Sequence, residues 1–272
     1  MFAQVHSREL TIVLSFKTSL PFDRLPVWRE LRALPLDQQK RQLRDPEQRR
    51  RLVAAARERD ERRPVGAEPR AAAYDWTFVM DTAEGPHRSV AEVARDRGVD
   101  PVEAMIDLAL EKDLERFFLQ PIANENQAHA LELIKHPRTV VTFSDSGAHV
   151  SQIMDASLQT HLLSHWVRRE QALTLEQAVR MLSFEPATLW GFADRGLIRE
   201  GMAADLLVFD PETIAPEMPE VVRDLPAGAR RLVQRARGIA ATVVNGETLL
   251  REGKPTGALP GLLLRGGSRA RS

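Results

Sequence analysis

The stretch Thr139-Val-Val-Thr-Phe-Ser-Asp145-Ser-Gly147-Ala-His149-Val150 carries the clearest indication of the fold. It opens with the apolar, β-branched run TVVTFS (139–144), which predicts a buried strand. Asp145, a turn of small residues and His149 follow this strand directly. Polar groups at the carboxyl end of a parallel strand lie where α/β proteins bind their ligands. The stretch therefore predicts an α/β fold with a candidate site at Asp145 and His149.

Asp145 has two interpretations on this pattern alone. A carboxylate at a strand end can ligate a metal or act as a general base, and a His four residues later can orient it or donate a hydrogen bond. Alternatively, Asp145 only caps a following helix, because Asp is a preferred N-cap residue. The residues themselves leave both interpretations open.

Strand-like and helix-like segments alternate before this stretch. ERFFLQP (115–121) predicts a strand, and ENQAHALELIKH (125–136) predicts a helix that Pro137 ends. Earlier, the box Ser89-Val-Ala-Glu92 predicts a helix start, and Asp100-Pro101 predicts another. Such alternation is typical of βαβ units around a parallel sheet.

The pattern changes near residues 195–205, where we expect a domain boundary. The later segments DLLVFD (205–210), RGIAATVVNGETLLREG (237–253) and GLLLR (261–265) are typical of short strands. Asn245-Gly246 between two of these runs predicts a hairpin with a type I′ turn. The C-terminal part is therefore expected to be rich in β-structure.

Composition excludes several classes of protein. The chain has 272 residues, with 38 Lys and Arg against 38 Asp and Glu, and no Cys. Zero net charge gives no overall attraction to nucleic acid or to a membrane surface, and no apolar run approaches the ~20 residues of a membrane span. No signal peptide is visible at the start. We therefore expect a cytoplasmic protein without a nucleic-acid or membrane partner.

Other catalytic and cofactor motifs are missing or weak. The sequence contains no G-x-S-x-G elbow, G-x-G-x-x-G fingerprint or P-loop, which argues against a serine hydrolase and a nucleotide cofactor. His161 and His165 are four residues apart, a spacing that can clamp a metal. No Glu follows His161, however, and the apolar neighbours favour a helix face in the core.

Many ordered segments carry a resemblance to a known family. They include SLPFDRLPVWRELRALP (19–35), SVAEVARDRGVDPVEAMIDLAL (89–110), HPRTVVTFSDSGAHV (136–150), DRGLIREGMAADLLVFD (194–210) and VVRDLPAGARRL (221–232). Together they resemble the C-terminal portion of the amidohydrolase superfamily, in its N-acyl-D-amino-acid deacylase (D-aminoacylase) branch.

The resemblance implies a zinc-bearing (β/α)8 barrel joined to a small β-sandwich. Residues 1–200 would form part of the barrel, with a helical lid-like insertion at about 16–70, and residues 201–272 would form sandwich strands and a C-terminal tail. Asp145 matches the Asp that ends the last barrel strand, touches the metal and shuttles a proton. His149 matches an active-site neighbour that orients Asp145 or contacts substrate. The implied substrate is a small N-acyl-D-amino acid.

The chain departs from this pattern in its metal ligands. The family takes most of them from an H-x-H pair, a bridging residue such as Cys and single His residues, yet this sequence has no H-x-H and no Cys.

A (β/α)8 barrel needs about 250 residues, whereas 144 residues precede Asp145. We therefore expect the chain to begin inside the barrel and to be inactive alone, with a missing N-terminal half or a homo-oligomer as partner. The alternatives are a non-catalytic fragment, a split-barrel partner subunit or a dihydropyrimidinase-like cyclic-amide hydrolase.

Overall fold

The computed structural model of the chain describes residues 1–58, 70–153 and 155–265. The end of the expected insertion (59–69) and the expected tail (266–272) lie outside the described residues. The helices found in the described part are α1 (Pro26–Arg32), α2 (Leu36–Arg44), α3 (Pro46–Ala56), α4 (Val90–Arg97), α5 (Pro101–Glu111), α6 (Gln127–Lys135), α7 (Leu158–His161), α8 (Leu175–Leu182) and α9 (Phe184–Leu189). Helix α7 continues as a π-helix over Leu162–Arg169. Across the described ranges, no helix has the length and apolar character needed to cross a membrane.

The strands are short and belong to separate small sheets. In chain order they are β1 (Ala3–Val5), β2 (Leu10–Leu14), β3 (Phe78–Met80), β4 (Phe117–Ala123), β5 (Thr139–Val141), β6 (Leu206–Phe209), β7 (Ala215–Pro216), β8 (Glu220–Val222), β9 (Arg231–Val233), β10 (Ala236–Arg237), β11 (Ile239–Val244), β12 (Glu247–Arg251) and β13 (Lys254–Pro255). Within the described ranges these strands do not close into a barrel.

Local sequence signals determine several helix starts. Ser89 accepts a hydrogen bond from the Glu92 amide while the Glu92 side chain accepts one from the Ser89 amide, which is the predicted capping box. Asp100 accepts from the Val102 amide at the start of α5. Gly98 ends α4 in the left-handed conformation, with φ of 67°. The predicted helix starts at Ser89 and Asp100 are confirmed.

The expectation of one parallel sheet holds only for β1 and β5. These strands pair in parallel, with Ala3 opposite Thr139 and Val5 opposite Val141. The three-stranded sheet β2-β4-β3 is instead antiparallel. Two helices, α4 and α5, lie between β3 and β4. A pair of helices brings the chain back to the end of the sheet where β3 stops, so β4 runs antiparallel to β3. The single crossover helix of a βαβ unit would instead make the two strands parallel. The parallel interpretation of these strands was therefore wrong.

The C-terminal strands form the expected hairpin. Strands β11 and β12 pair antiparallel within the sheet β13-β12-β11-β6. Asn245 and Gly246 form the turn, with φ of 48° and 84°, and positive φ at both central residues is the requirement of a type I′ turn. The hairpin prediction is confirmed.

The helices in the expected insertion pack around Trp28. This side chain is fully buried, and its indole Nε1 donates to the Leu52 carbonyl at 3.0 Å. The same hydrophobic cluster includes Ile106 of α5 and Phe118 of β4. Helices α1 to α3 therefore share one hydrophobic core with the antiparallel sheet. The favourable free energy of burying its many apolar side chains holds the helices and the sheet together.

A second hydrophobic cluster lies beneath the parallel strands. It joins Val5 of β1 and Val141 of β5 to Leu162 and Trp166 of the π-helix, and to Ile214 before β7. Burial of these side chains fixes the β1–β5 pair against the π-helix. The cluster therefore determines which groups lie near the carboxyl ends of the two strands.

Gly238 allows a close approach between the chain before β11 and Ile214. Its φ is 82°, and a Cβ atom there would lie 2.5 Å from the Ile214 nitrogen and 2.7 Å from its Cα. Both atoms belong to the backbone, so they cannot move aside as a flexible side chain can. Glycine is therefore required at this position for two reasons, its conformation and its size.

Substitution of Gly238 tests this contact. We expect Gly238→Ala to lower the free energy of unfolding by about 3 kcal/mol, and the control Gly253→Ala by about 1 kcal/mol. Gly253 also has positive φ, but a Cβ there would meet nothing within 4 Å. Urea denaturation followed by circular dichroism measures both values, and equal losses would show that the contact with Ile214 is unimportant.

Candidate functional site

The carboxyl ends of β1 and β5 lie side by side. Beyond the paired residues, the Phe143 amide donates to the Val5 carbonyl at 3.3 Å. The rings of His6 and Phe143 meet edge to face, with centroids 6.2 Å apart. The polar segment 6–9 after β1 therefore runs next to the segment that leads to Asp145, as expected for the ligand-binding end of parallel strands.

Asp145 lies in a turn that leaves its carboxylate partly exposed. Its carbonyl accepts from the Ala148 amide at 3.1 Å, and Gly147 takes a φ of 94°. Within the described residues, no hydrogen bond or ion pair engages the Asp145 side chain. No helix begins in the turn that follows it. The helix-cap interpretation of Asp145 is therefore wrong, and its carboxylate is free to meet a ligand.

His149 is exposed at the end of the same turn, and its φ is 48°. Its carbonyl accepts from the Gln152 amide at 2.7 Å. The Gln152 side chain in turn donates to the Ser19 hydroxyl at 2.8 Å. In the described part of the chain, no hydrogen bond or ion pair joins the side chains of His149 and Asp145. The structure thus brings the two residues into one turn without pairing them.

The described residues do not assemble a metal centre. Nowhere among them do three or more His, Asp or Glu side chains lie close enough together to hold a metal ion. A structural or catalytic zinc normally needs about three or more protein ligands. Asp145 by itself therefore does not fit the zinc site that the resemblance implies.

A cluster of titratable side chains surrounds a cavity of about 250 Å3 beyond β1. Arg8 and Glu9 reach it from the segment after β1, Glu84 and His87 from the turn after β3, and His161 from the helix. Arg8 is 2% exposed; its Nη1 donates to the Ser157 hydroxyl at 2.9 Å and its Nη2 to Glu9 at 3.2 Å. The Glu9 carboxylate therefore neutralises the buried guanidinium.

Hydrogen bonds fasten this segment to the helix behind the cavity. The Ser7 hydroxyl donates to the Leu158 carbonyl at 2.6 Å, and the Trp166 indole donates to the Ser7 carbonyl at 2.6 Å. Both groups are buried, so breaking either bond would leave a polar atom without a partner at a cost of about 1–3 kcal/mol. The wall of the cavity is thus held in a fixed position.

Glu84 and two stacked imidazoles form another part of the cavity wall. Nδ1 of His161 lies 3.5 Å from Glu84 Oε1, and the rings of His161 and His165 stack with centroids 4.7 Å apart. The Ser164 hydroxyl donates to the Glu84 carboxylate. The i, i+4 spacing of the two His residues therefore places both rings on one face, as the sequence indicates.

The protonation states follow from burial and from these contacts. Burial lowers the pKa of His161, and burial together with the neighbouring His161 lowers the pKa of His165 to about 4. Burial alone would raise the pKa of Glu84, but the contact with His161 and the hydrogen bond from Ser164 outweigh it and lower the pKa. At neutral pH the imidazoles are therefore neutral and Glu84 is ionised.

The prediction that His161 and His165 lie on a helix face in the core is right about burial for His161 but does not foresee the cavity. His161 is only 4% exposed, yet both residues line the cavity. Arg8, Glu9 and Glu84 were not predicted as site residues from the sequence. The polar run His6-Ser-Arg-Glu9 directly after an apolar strand-like segment is the signal that could have found the first two.

A family model described as "Amidohydrolase family" matches residues 42–250. The chain belongs to the amidohydrolase family. The resemblance seen in the sequence is thereby confirmed. The match includes Asp145, the cavity residues Glu84 and His161, the strands β3 to β11 and most of β12.

Two curated relatives of this amidohydrolase chain are named as deacylases. The N-acyl-D-aspartate deacylase of Alcaligenes xylosoxydans xylosoxydans is 28% identical over 202 residues, which cover 70% of this chain and 35% of the relative. The N-acyl-D-glutamate deacylase of the same organism is 35% identical over 106 residues, 39% of this chain and 20% of the relative. The chain thus spans about a third or less of the relatives it matches.

A solved structure shows a partial likeness to this amidohydrolase chain. The N-acyl-D-glutamate deacylase of Bordetella bronchiseptica, determined with zinc and a phosphonate inhibitor, has 25% sequence identity and a TM-score of 0.39. The superposed part covers 67% of this chain and 37% of that one.

The buried imidazoles predict a pH-dependent stability. The folded-state pKa of His165 is about 4, below the ~6.5 of an unfolded chain. Between these values the unfolded state binds more protons, so stability is fully present above pH ~6.5 and falls as the pH drops toward ~4. We expect the Tm of His165→Asn to depend less on pH over this window than that of the unaltered chain. Differential scanning calorimetry at several pH values measures the slope of Tm against pH.

His129→Asn, at an exposed position of α6, is the control, and equal slopes in both variants would contradict the prediction.

Proposed function

We propose that this chain is the C-terminal part of an amidohydrolase that cleaves the acyl amide bond of N-acyl-D-amino acids. The family match over residues 42–250 carries the proposal. The names of the relatives, N-acyl-D-aspartate and N-acyl-D-glutamate deacylase, support this substrate class. Hydrolysis of a carbon–nitrogen bond at the carboxyl end of parallel strands also agrees with the position of Asp145.

Asp145 is the proposed proton carrier of the reaction. A water oxygen attacks the acyl carbonyl carbon, and the Asp145 carboxylate accepts the proton that the water loses. The carbon–nitrogen bond then breaks, and Asp145 delivers the proton to the departing nitrogen, which leaves a carboxylic acid and an amine. The partly exposed carboxylate, without a partner among the described residues, is suited to both transfers.

His149 is proposed as a neighbour of substrate rather than as a partner of Asp145. It is exposed and held at the end of the Asp145 turn by its backbone. An exposed imidazole in that position can donate to or accept from a bound ligand.

Zinc is the proposed cofactor of the complete enzyme. Because the described residues supply no group of three ligands, we expect residues outside them to provide the rest of the site. The 272-residue chain would then be inactive alone and would need either a further segment or another chain.

A split-barrel partner is the second candidate. In the described part of the chain, β1 and β5 pair only with each other. Each strand thus keeps an edge that can accept another strand, and unpaired edges favour association with another chain. The division into a partial barrel over 1–200 and sandwich strands over 201–272, like the cytoplasmic location, stays a prediction.

Zinc content and turnover test the proposal. We expect the purified 272-residue chain to hold less than stoichiometric zinc and to hydrolyse neither N-acetyl-D-aspartate nor N-acetyl-D-glutamate. A polypeptide extended upstream in the same reading frame should bind zinc and release the amino acid. In that longer polypeptide, Asp145→Asn should lower kcat by about 10²–10⁴-fold, because a positioned acid–base group contributes that much.

The matched control is Asp96→Asn on the exposed face of α4, where Asp96 pairs with Arg88. It should leave turnover unchanged. Full activity with stoichiometric zinc in the short chain would refute the need for further ligands. An Asp145→Asn enzyme as active as the control would remove Asp145 from the reaction.

A further inference from the structure

The cavity behind β1 has a lining separate from the proposed reaction site. Its wall includes Glu84, His87, His161 and His165 but neither Asp145 nor His149. Its volume, about 250 Å3, is enough for a small organic molecule. The π-helix Leu162–Arg169 runs along one side, and π-helical turns are frequent at functional sites.

Several buried nitrogen atoms on this wall have no hydrogen-bond partner among the described residues. They are Nδ1 and Nε2 of His161, Nδ1 of His165, Nδ1 of His87 and Nε of Arg8. His161 is 4% exposed, so bulk water does not satisfy it. A buried polar group left without a partner destabilises the folded protein. Each neutral imidazole has one unprotonated nitrogen, and a ligand that donates a hydrogen bond to it would supply the missing partner.

The charges on the wall favour a cationic ligand. Within the described ranges Glu84 forms no salt bridge with Lys or Arg; its close neighbours are His161 and the Ser164 hydroxyl. The cationic side chains at the cavity already have anionic partners, although Nε of Arg8 donates no hydrogen bond among the described residues. Arg8 pairs with Glu9, while Arg169 lies 3.5 Å from Glu170 and donates to the Gly85 carbonyl. Glu84 therefore leaves one negative charge without a matching cation.

We propose that this cavity binds the ammonium group of a small primary amine, held by the Glu84 carboxylate and the imidazoles of His161 and His165. An ammonium has three N–H donors, which match a carboxylate and neutral imidazole acceptors. Trp76 and Phe78 line the same cavity, with ring centroids 5.7 Å apart, and aromatic faces attract cations.

A metal ion suits this wall less well than an ammonium. No three of the described His, Asp or Glu side chains converge on a common point as metal ligands must. The proposal does not depend on hydrolysis, although the amine released from an N-acyl amino acid belongs to the same chemical class. Acylation removes the positive charge, so an N-acyl compound should not bind here.

Ligand titration of the 272-residue chain at neutral pH tests the proposal. The probes are propylamine and N-propylacetamide, which carry the same alkyl group but differ in the charge on nitrogen. Chemical-shift changes of the Trp76 indole and the His161 imidazole, followed by NMR, report binding at the cavity itself. We expect saturable shifts with propylamine and none with N-propylacetamide.

Variants of the wall complete the test. Glu84→Gln should weaken propylamine binding at least tenfold, since the amide keeps an acceptor but loses the charge. Glu111→Gln, at an exposed residue paired with Arg97 outside the cavity, should bind propylamine unchanged. If Glu84→Gln does not fold, Trp76→Leu, at a side chain 42% exposed, should weaken binding severalfold by removing the aromatic face.

Either of two results overturns the proposal. One is a failed comparison: the chain binds propylamine and N-propylacetamide equally well, or Glu84→Gln binds propylamine as tightly as the unaltered chain does. The other is stoichiometric binding of Zn²⁺ that is lost in Glu84→Gln while propylamine causes no shifts, which would assign the wall to a metal. Because no turnover is measured, failure of amine binding is distinguishable from failure of the proposed deacylase activity.

Discussion

The parallel pairing of β1 with β5 is the constraint on which both candidate sites depend. Its register places Val5 opposite Val141, so the next residues of each strand emerge at the same edge. Asp145 follows one strand and Arg8 follows the other. In a two-stranded element this register is held chiefly by burial of Val5 and Val141 against the π-helix, because strand pairs are marginal without a hydrophobic face.

The helical segment made of α7 and the π-helix, together with Ser157 before it, is coupled to that edge by polar contacts as well as by the core. Trp166 and Leu158 hydrogen-bond to Ser7, and Ser157 bonds to Arg8. Burying the Arg8 guanidinium is costly unless its charge and its donors are satisfied. Glu9 balances the charge and accepts from Nη2, and Ser157 accepts from Nη1, whereas Nε has no partner among the described residues. His161 is buried by this packing, and its ring nitrogens have no hydrogen-bond partner among the described residues. Hydrogen bonds thus hold this wall in place, while imidazole nitrogens that line the cavity have no partner among the described residues.

Different parts of the site were predictable to different degrees. The candidate position of Asp145 could be inferred because an apolar run followed by Asp, Ser and Gly is a local pattern. The same holds for the Ser89 box and the Asn245-Gly246 turn, where neighbouring residues satisfy one another. The role of His161 could not be read in this way. Its apolar neighbours indicate a buried face, and the pattern does not say that Glu84, 77 positions earlier in the sequence, lies 3.5 Å away.

The amino-acid sequence by itself determined the helix starts, the hairpin turn, the strand that leads to Asp145 and the family resemblance. These depend on residues within a few positions of one another, or on an ordered set of motifs. Only the tertiary structure decided that β2, β3 and β4 run antiparallel, that Asp145 caps no helix and that Glu84 meets His161. The physical reason is that strand direction and the partners of a buried charge depend on packing between distant segments, which local periodicity does not encode.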